Sequence, residues 1–137
     1  MANDVNEHMP DYVHARITSL LNDERKSLNG SNVLLLGLAY KKGTSDWRES
    51  PSVAVADQLA ESGAQIVFCD PHIPEVNARN ARFPLVAFTP ETLAAADVVV
   101  VLVDHTEFDP AVIAEHARLV FDTKNIMREL AFSGEIL

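Results

Sequence analysis

A single cysteine is too few for an internal disulfide, so the chain must hold itself together by its core, as suits a reducing, cytoplasmic setting. No apolar run approaches the ~20 residues that span a bilayer, and the N-terminus lacks the basic-then-apolar plan of a signal peptide. Cations are scarce as well. With 11 basic against 20 acidic residues and a formal charge of −9, the chain lacks the basic face that nucleic-acid phosphates require. An anionic small ligand remains open to it where a few cations converge against the overall field. The five histidines, His8, His14, His72, His105 and His116, show no ligand spacing, and no cysteine or carboxylate cluster joins them, so no metal centre is expected.

Glycine is sparse where it would matter most. The dinucleotide fingerprint G-x-G-x-x-G lets backbone approach a pyrophosphate at a helix N-terminus. Here Gly37 is followed by no glycine until Gly43, with Tyr40, Lys41 and Lys42 between them. An acid at the end of the second strand, Asp70, stands where a ribose-binding acid would lie, but without the glycines it reads as a turn former. Cys69, inside the same strand, reads as a buried, inert thiol.

What is present is a chain of 137 residues, 47% of them hydrophobic, enough for one sizeable core without metal or disulfide. Residues 3–28 carry a helical pattern in Val5, Met9, Tyr12, Val13, Ile17, Leu20, Leu21 and Leu28, interrupted by Pro10. That helix is either a linker belonging to something larger or an element packing on its own domain. From Val33 onward strands and helices alternate. The predicted strands are Val33–Leu36, Gln65–Cys69, Leu85–Phe88, Val98–Val103 and Leu119–Phe121. Helices are predicted from Pro51 to about Ser62, closed by Gly63, over Pro90–Ala96 and over Pro110–His116. Ser50-Pro51, Thr89-Pro90 and Asp109-Pro110 share one device, a capping oxygen followed by a proline at the first helical position. The pattern predicts an α/β, Rossmann-like, doubly wound parallel sheet of about five strands in the order 3-2-1-4-5, preceded by a long N-terminal helix.

In that order the loops after the first, fourth and fifth strands share one rim, where open α/β folds bind ligands. The first loop brings Tyr40, Lys41, Lys42 and Arg48; the others bring Asp104, His105 and Thr106, then Asp122, Thr123, Lys124 and Asn125. Lys41 and Lys124 are thus placed to face one anion, with Thr123 and Asn125 able to hydrogen-bond it. Position alone leaves Lys124 equally readable as a solvated loop residue. His105 either touches ligand or orders its own loop, Glu49 is an acid–base group or an ion-pair partner, and Trp47 is a lid or a packing residue.

The run Gly37-Leu-Ala-Tyr-Lys-Lys-Gly-Thr-Ser-Asp-Trp-Arg-Glu-Ser-Pro resembles the signature of the C-terminal domain of the UDP-glucose/GDP-mannose dehydrogenase family. So do Asp70-Pro71 and Phe121-Asp122-Thr123-Lys124-Asn125, while Asn6 to Val13 resembles the exit of the family's central helical domain. The resemblance implies that residues 1–30 end a central-domain or linker helix and that 31–137 form a UDP-sugar-binding domain. It implies a full-length, homodimeric enzyme that oxidises the C6 alcohol of a nucleotide sugar to a carboxylate. Such an enzyme reduces two NAD⁺ and passes through a thioester on a cysteine in another domain. By motif position Tyr40 and Lys41 would contact the UDP, Lys124 would meet the substrate, and Arg48 would reach toward the NAD pyrophosphate. Many relatives carry arginine at Lys124, a planar fork in place of a point charge. No residue of this chain takes the place of the catalytic cysteine, so the chain by itself is expected to turn nothing over. Two readings from other classes stand beside this one: a free-standing nucleotide-binding or regulatory module, and an assembly domain whose basic loop docks an acidic surface.

Overall fold

A computed structural model of the protein describes residues 2–38, 50–73 and 83–137, with side chains from Pro10 onward. Helix α1 spans Ala2–Asp23 and runs through Pro10. It stops short of the predicted Leu28 because Arg25 adopts a left-handed φ of 61°. The N–H groups of Arg25 and Lys26 then turn back onto Asn22 and Leu21 carbonyls, a Schellman closure made without glycine. Leu28 is still buried, but from a loop.

Strand β1 is Asn32–Leu36, α2 Pro51–Glu61, β2 Gln65–Cys69, α3 Pro90–Ala95, β3 Val98–Val101, α4 Pro110–His116, β4 Val120–Asp122 and β5 Gly134–Ile136. All three predicted caps form. Ser50, Thr89 and Asp109 accept backbone N–H groups from Ser52, Thr92 and Ala111 at 3.0–3.1 Å, each ahead of a proline. Gly63, at φ +93°, closes α2 by the same Schellman bonds to Ala60 and Leu59 carbonyls.

The sheet is wholly parallel in the order β2-β1-β3-β4-β5. Of the predicted third strand, Leu85–Phe88, only Leu85 pairs, as a single bridge to Phe68 on the outer side of β2. Pro84 brings no N–H to a ladder, and the chain reaches the α3 cap at Thr89 three residues after Val86. With that bridge counted, the predicted order holds. The strand missed in the sequence is β5, whose Gly-Glu-Ile has no β-branched run. It is held by its register on β4 and by Arg16, whose guanidinium donates to both Glu135 carboxylate oxygens, Nε at 2.8 Å.

Strand side chains alternate between two cores. Val33, Leu35, Phe68, Val98, Val100 and Phe121 join Val13, Ile17, Leu21, Val55 and Leu59 of α1 and α2. Leu34, Leu36, Val99, Val101 and Val120 join Leu93 and Ile113 of α3 and α4. The sheet is therefore covered on both faces, as continuous apolar strands require. Burial of Val13, Ile17 and Leu21 shows that α1 packs on this domain. Among the described residues no helix is long and apolar enough to cross a membrane.

Candidate functional site

The topological switch lies over the end of β1, flanked by β2 on one side and β3 on the other. Leu36 O accepts N–H groups from Leu102 and Val103 at 2.9 and 3.2 Å, while Gly37 N–H donates to Cys69 O at 2.9 Å. The chain leaving β1 is thus gripped from both neighbours. Gly37 sits at φ +109°, and a Cβ there would lie 2.5 Å from Val103 Cβ. Its glycine is demanded by packing and left-handed backbone, not by a pyrophosphate above it.

Next to it Asp70 turns inward, its side chain wholly buried. Oδ2 accepts the Leu38 N–H at 2.9 Å and lies 3.0 Å from His105 Nε2; Oδ1 accepts the His72 N–H at 2.9 Å. A carboxylate cannot donate, so the ring N–H of His105 does. Asp70 is therefore a hub for three loop segments rather than a ribose ligand. His105, also wholly buried in its side chain, lies against the rings of His72 at 4.3 Å and Phe108 at 5.5 Å. Of its two readings, the described contacts are those of a residue that orders its loop. Cys69 is buried as expected, and burial, with Asp70 adding to it, pushes its thiol up to about 12.

The end of β4 repeats the device. Asp122 is fully buried; its Oδ1 accepts the Lys124 N–H and its Oδ2 the Met127 N–H, both at 2.8 Å. Thr123 donates its N–H and its hydroxyl to Val101 O at 3.1 and 2.6 Å, so its hydroxyl proton is committed inward, not offered to an anion as its position had promised. Asn125 takes a left-handed φ of 62°, and Lys124 stands exposed at the crest of this turn. Tyr40, Lys41 and Arg48, with Lys42, Trp47 and Glu49, lie outside the described residues. Their segment is bounded by Leu38, held by Asp70, and by Ser50, which caps α2.

The fold also assembles something that spacing did not reveal. One potential ligand atom each from His72, His105 and Glu107 lies within 4.8 Å of the others. The two imidazoles lie tilted against each other, 33° between their planes, and one nitrogen of each is already engaged by a carboxylate, His105 Nε2 by Asp70 and His72 Nε2 by Glu107. His72 Nε2 is 2.9 Å from Glu107 Oε1, and this hydrogen bond is the main reason that the Glu107 carboxyl is held below its usual range. The arrangement works as a lock between the loops after β2 and β3.

The family model described as the UDP binding domain of the UDP-glucose/GDP-mannose dehydrogenase family matches residues 34–129, well over half of the chain. The chain belongs to that family. The match runs from β1 past Met127, so it takes in both rim loops and both buried aspartates. UDP-N-acetyl-D-mannosamine dehydrogenase of Salmonella typhimurium is 36% identical over 93% of this chain and 32% of its own length. UDP-glucose 6-dehydrogenase of Haloferax volcanii is 37% identical over 90% of this chain and 29% of its own. The solved UDP-D-ManNAc dehydrogenase of Pyrococcus horikoshii superposes with a TM-score of 0.77 at 25% identity, covering 97% of this chain and 32% of that one. The chain thus spans about a third of the length of these dehydrogenases.

Proposed function

We propose that this chain is the nucleotide-holding domain of an NAD-dependent UDP-sugar 6-dehydrogenase, whose full length carries out the four-electron oxidation of a UDP-sugar to a UDP-uronate. The observation that carries this is the family match over residues 34–129, which spans the rim built by the loops after β1 and β4. The named relatives act on UDP-N-acetyl-D-mannosamine and UDP-glucose. Their substrates differ in the sugar and share the UDP, and the UDP is the part assigned to this chain. Tyr40 and Lys41 contact it from the loop after β1, and Lys124 meets it from the turn after β4. Lys124 suits that role, because the turn commits its acceptors to backbone N–H groups and leaves the ammonium outward.

The switch point of this chain does not fit a dinucleotide. The space over Gly37 is filled by Val103 and the strand-end acid is consumed by protein donors. NAD accordingly belongs to another domain, with Arg48 reaching toward its pyrophosphate, and no step of the oxidation is assigned to residues here. Residues 1–30 form the end of the central domain's helix, packed against the UDP-binding unit of 31–137. The full-length enzyme works as a homodimer in the cytoplasm.

Calorimetry with UDP, GDP and NAD⁺ on the wild-type chain, Lys41→Ala and Lys124→Ala tests the assignment. UDP is expected to bind and NAD⁺ not to. Each substitution removes a charge-assisted contact worth about 1.5–3 kcal/mol, roughly 10- to 150-fold in affinity. Wild-type UDP affinity in both variants would sink the assignment. So would NADH production from a UDP-sugar by this chain alone.

A further inference from the structure

We infer that Asp122 and Asn125 are positioning residues for the nucleotide, acting through Lys124 on the turn between them; this rests on the UDP-binding reading above. The backbone is held on both sides of Lys124. Asp122 is anchored first: its carbonyl accepts the Leu137 N–H just past β5 at 2.8 Å, and the next residue, Thr123, clips its N–H and its hydroxyl to Val101 O at the end of β3. The fully buried Asp122 carboxylate then reaches round the turn, Oδ1 taking the Lys124 N–H and Oδ2 the Met127 N–H, both at 2.8 Å. Met127, wholly buried, roots the far side of the turn in the core shared with α3 and α4. Between these two held amides the chain reverses at Asn125, whose φ of 62° is left-handed. Asparagine tolerates that conformation, and a β-branched residue does not.

A held backbone matters here because Lys124 is a point charge on a long stem. Extended, that stem puts roughly 6 Å between Cα and the ammonium. A rotation of the turn by about 30° would carry the ammonium about 3 Å, the difference between a hydrogen bond and none. The side-chain torsions do not simply make up such an error, since leaving their staggered wells is itself unfavourable. Asp122 and Thr123 face inward with their polar groups committed, so the charge that this turn presents outward is that of Lys124. In this arrangement Asn125 serves the ligand by its φ and not by its side-chain amide.

Asn125→Gly removes the side chain and keeps the left-handed turn, whereas Asn125→Val removes both. Position 125 is exposed, so neither variant touches the core, and melting curves check that the chain stays folded. Asp122→Asn sets an amide NH₂ against one of the two backbone N–H groups. The measurement is UDP affinity of the chain and of these variants in about 0.05 M and about 0.5 M NaCl. Asn125→Gly is expected within about twofold of wild type at both salts. Asn125→Val and Asp122→Asn are expected to lose about fivefold at low salt and under about twofold at high salt, where an ammonium contributes little wherever it points. Equal affinities of the Gly and Val variants, or a Val loss that salt does not shrink, overturn the inference and leave UDP binding standing. The Asn125 pair decides the matter even where Asp122→Asn fails to fold. Failure of the wild-type chain to bind UDP overturns the binding reading, and the inference with it.

Discussion

At the scale of single residues, the rim owes its chemistry to what the acids do not face. Asp70 follows β2 and Asp122 ends β4, both at the carboxyl edge of the sheet, where two free carboxylates would repel a diphosphate. Each is buried and spent on backbone N–H groups, so the outward charge at the β4 turn is Lys124. Gly37→Ala should cost at least about 2 kcal/mol in urea unfolding, since it combines a left-handed φ with a 2.5 Å approach to Val103. A variant as stable as wild type would mean that this turn is not the one described. Asp97, away from the rim, accepts the Asn32 N–H at 2.7 Å and the Lys26 ammonium at 3.0 Å, and these contacts hold its carboxyl below the usual range. A carboxyl depressed on folding adds stability above its unfolded pKa, near 3.9, and loses it as pH falls through the lower folded value. Asp97→Asn is therefore expected to lower stability at pH 7 and to matter progressively less below about pH 4. Denaturant curves at both ends of that range check the sign.

At the scale of elements, starts were more legible than ends. The starts of α2, α3 and α4 each rest on an oxygen-bearing cap before proline, chemistry that acts within three residues and so is written locally. Ser50→Ala should cost about 1 kcal/mol in thermal or denaturant unfolding, and no loss would imply that α2 is capped otherwise. Stops were harder to read. The α1 helix ends at a left-handed Arg25, a conformation that an arginine does not advertise, and the apolar period continues to Leu28 because a loop also buries its side chains. The weak third strand shrank to a bridge and the unforeseen β5 formed for one reason: edge strands are stabilised by the partner that they meet. A hydrogen-bond ladder with β4 and a bidentate Arg16–Glu135 contact, 119 residues apart in sequence, carry β5. Neither is visible in Gly-Glu-Ile.

At the scale of the whole molecule, α1 completes the cover of one face of the sheet, beside α2. Val13, Ile17, Leu20 and Leu21 are buried against the side of the sheet that carries α2, and His14 and Asp11 bond Ser62 and Gln58 at 2.7 and 2.6 Å. Burying each apolar side chain contributes about 1.5–3 kcal/mol, so the four together rival the 5–15 kcal/mol that keeps a typical domain folded. Deleting residues 1–24 should yield a chain that self-associates or fails to unfold cooperatively, as light scattering and a melting curve would show. A monomer with a sharp transition would make α1 dispensable.

The sequence by itself determined the fold class, the strand order and the family, because hydrophobic period, cap chemistry and the Gly37–Pro51 run are local patterns. It also placed Lys124 on the rim. Only the tertiary structure decided that Asp70 faces inward, that His105 braces it and that Thr123 has no proton to offer a ligand. Each depends on which donor a buried carboxylate or carbonyl meets across strands distant in sequence, and no spacing along the chain encodes that encounter.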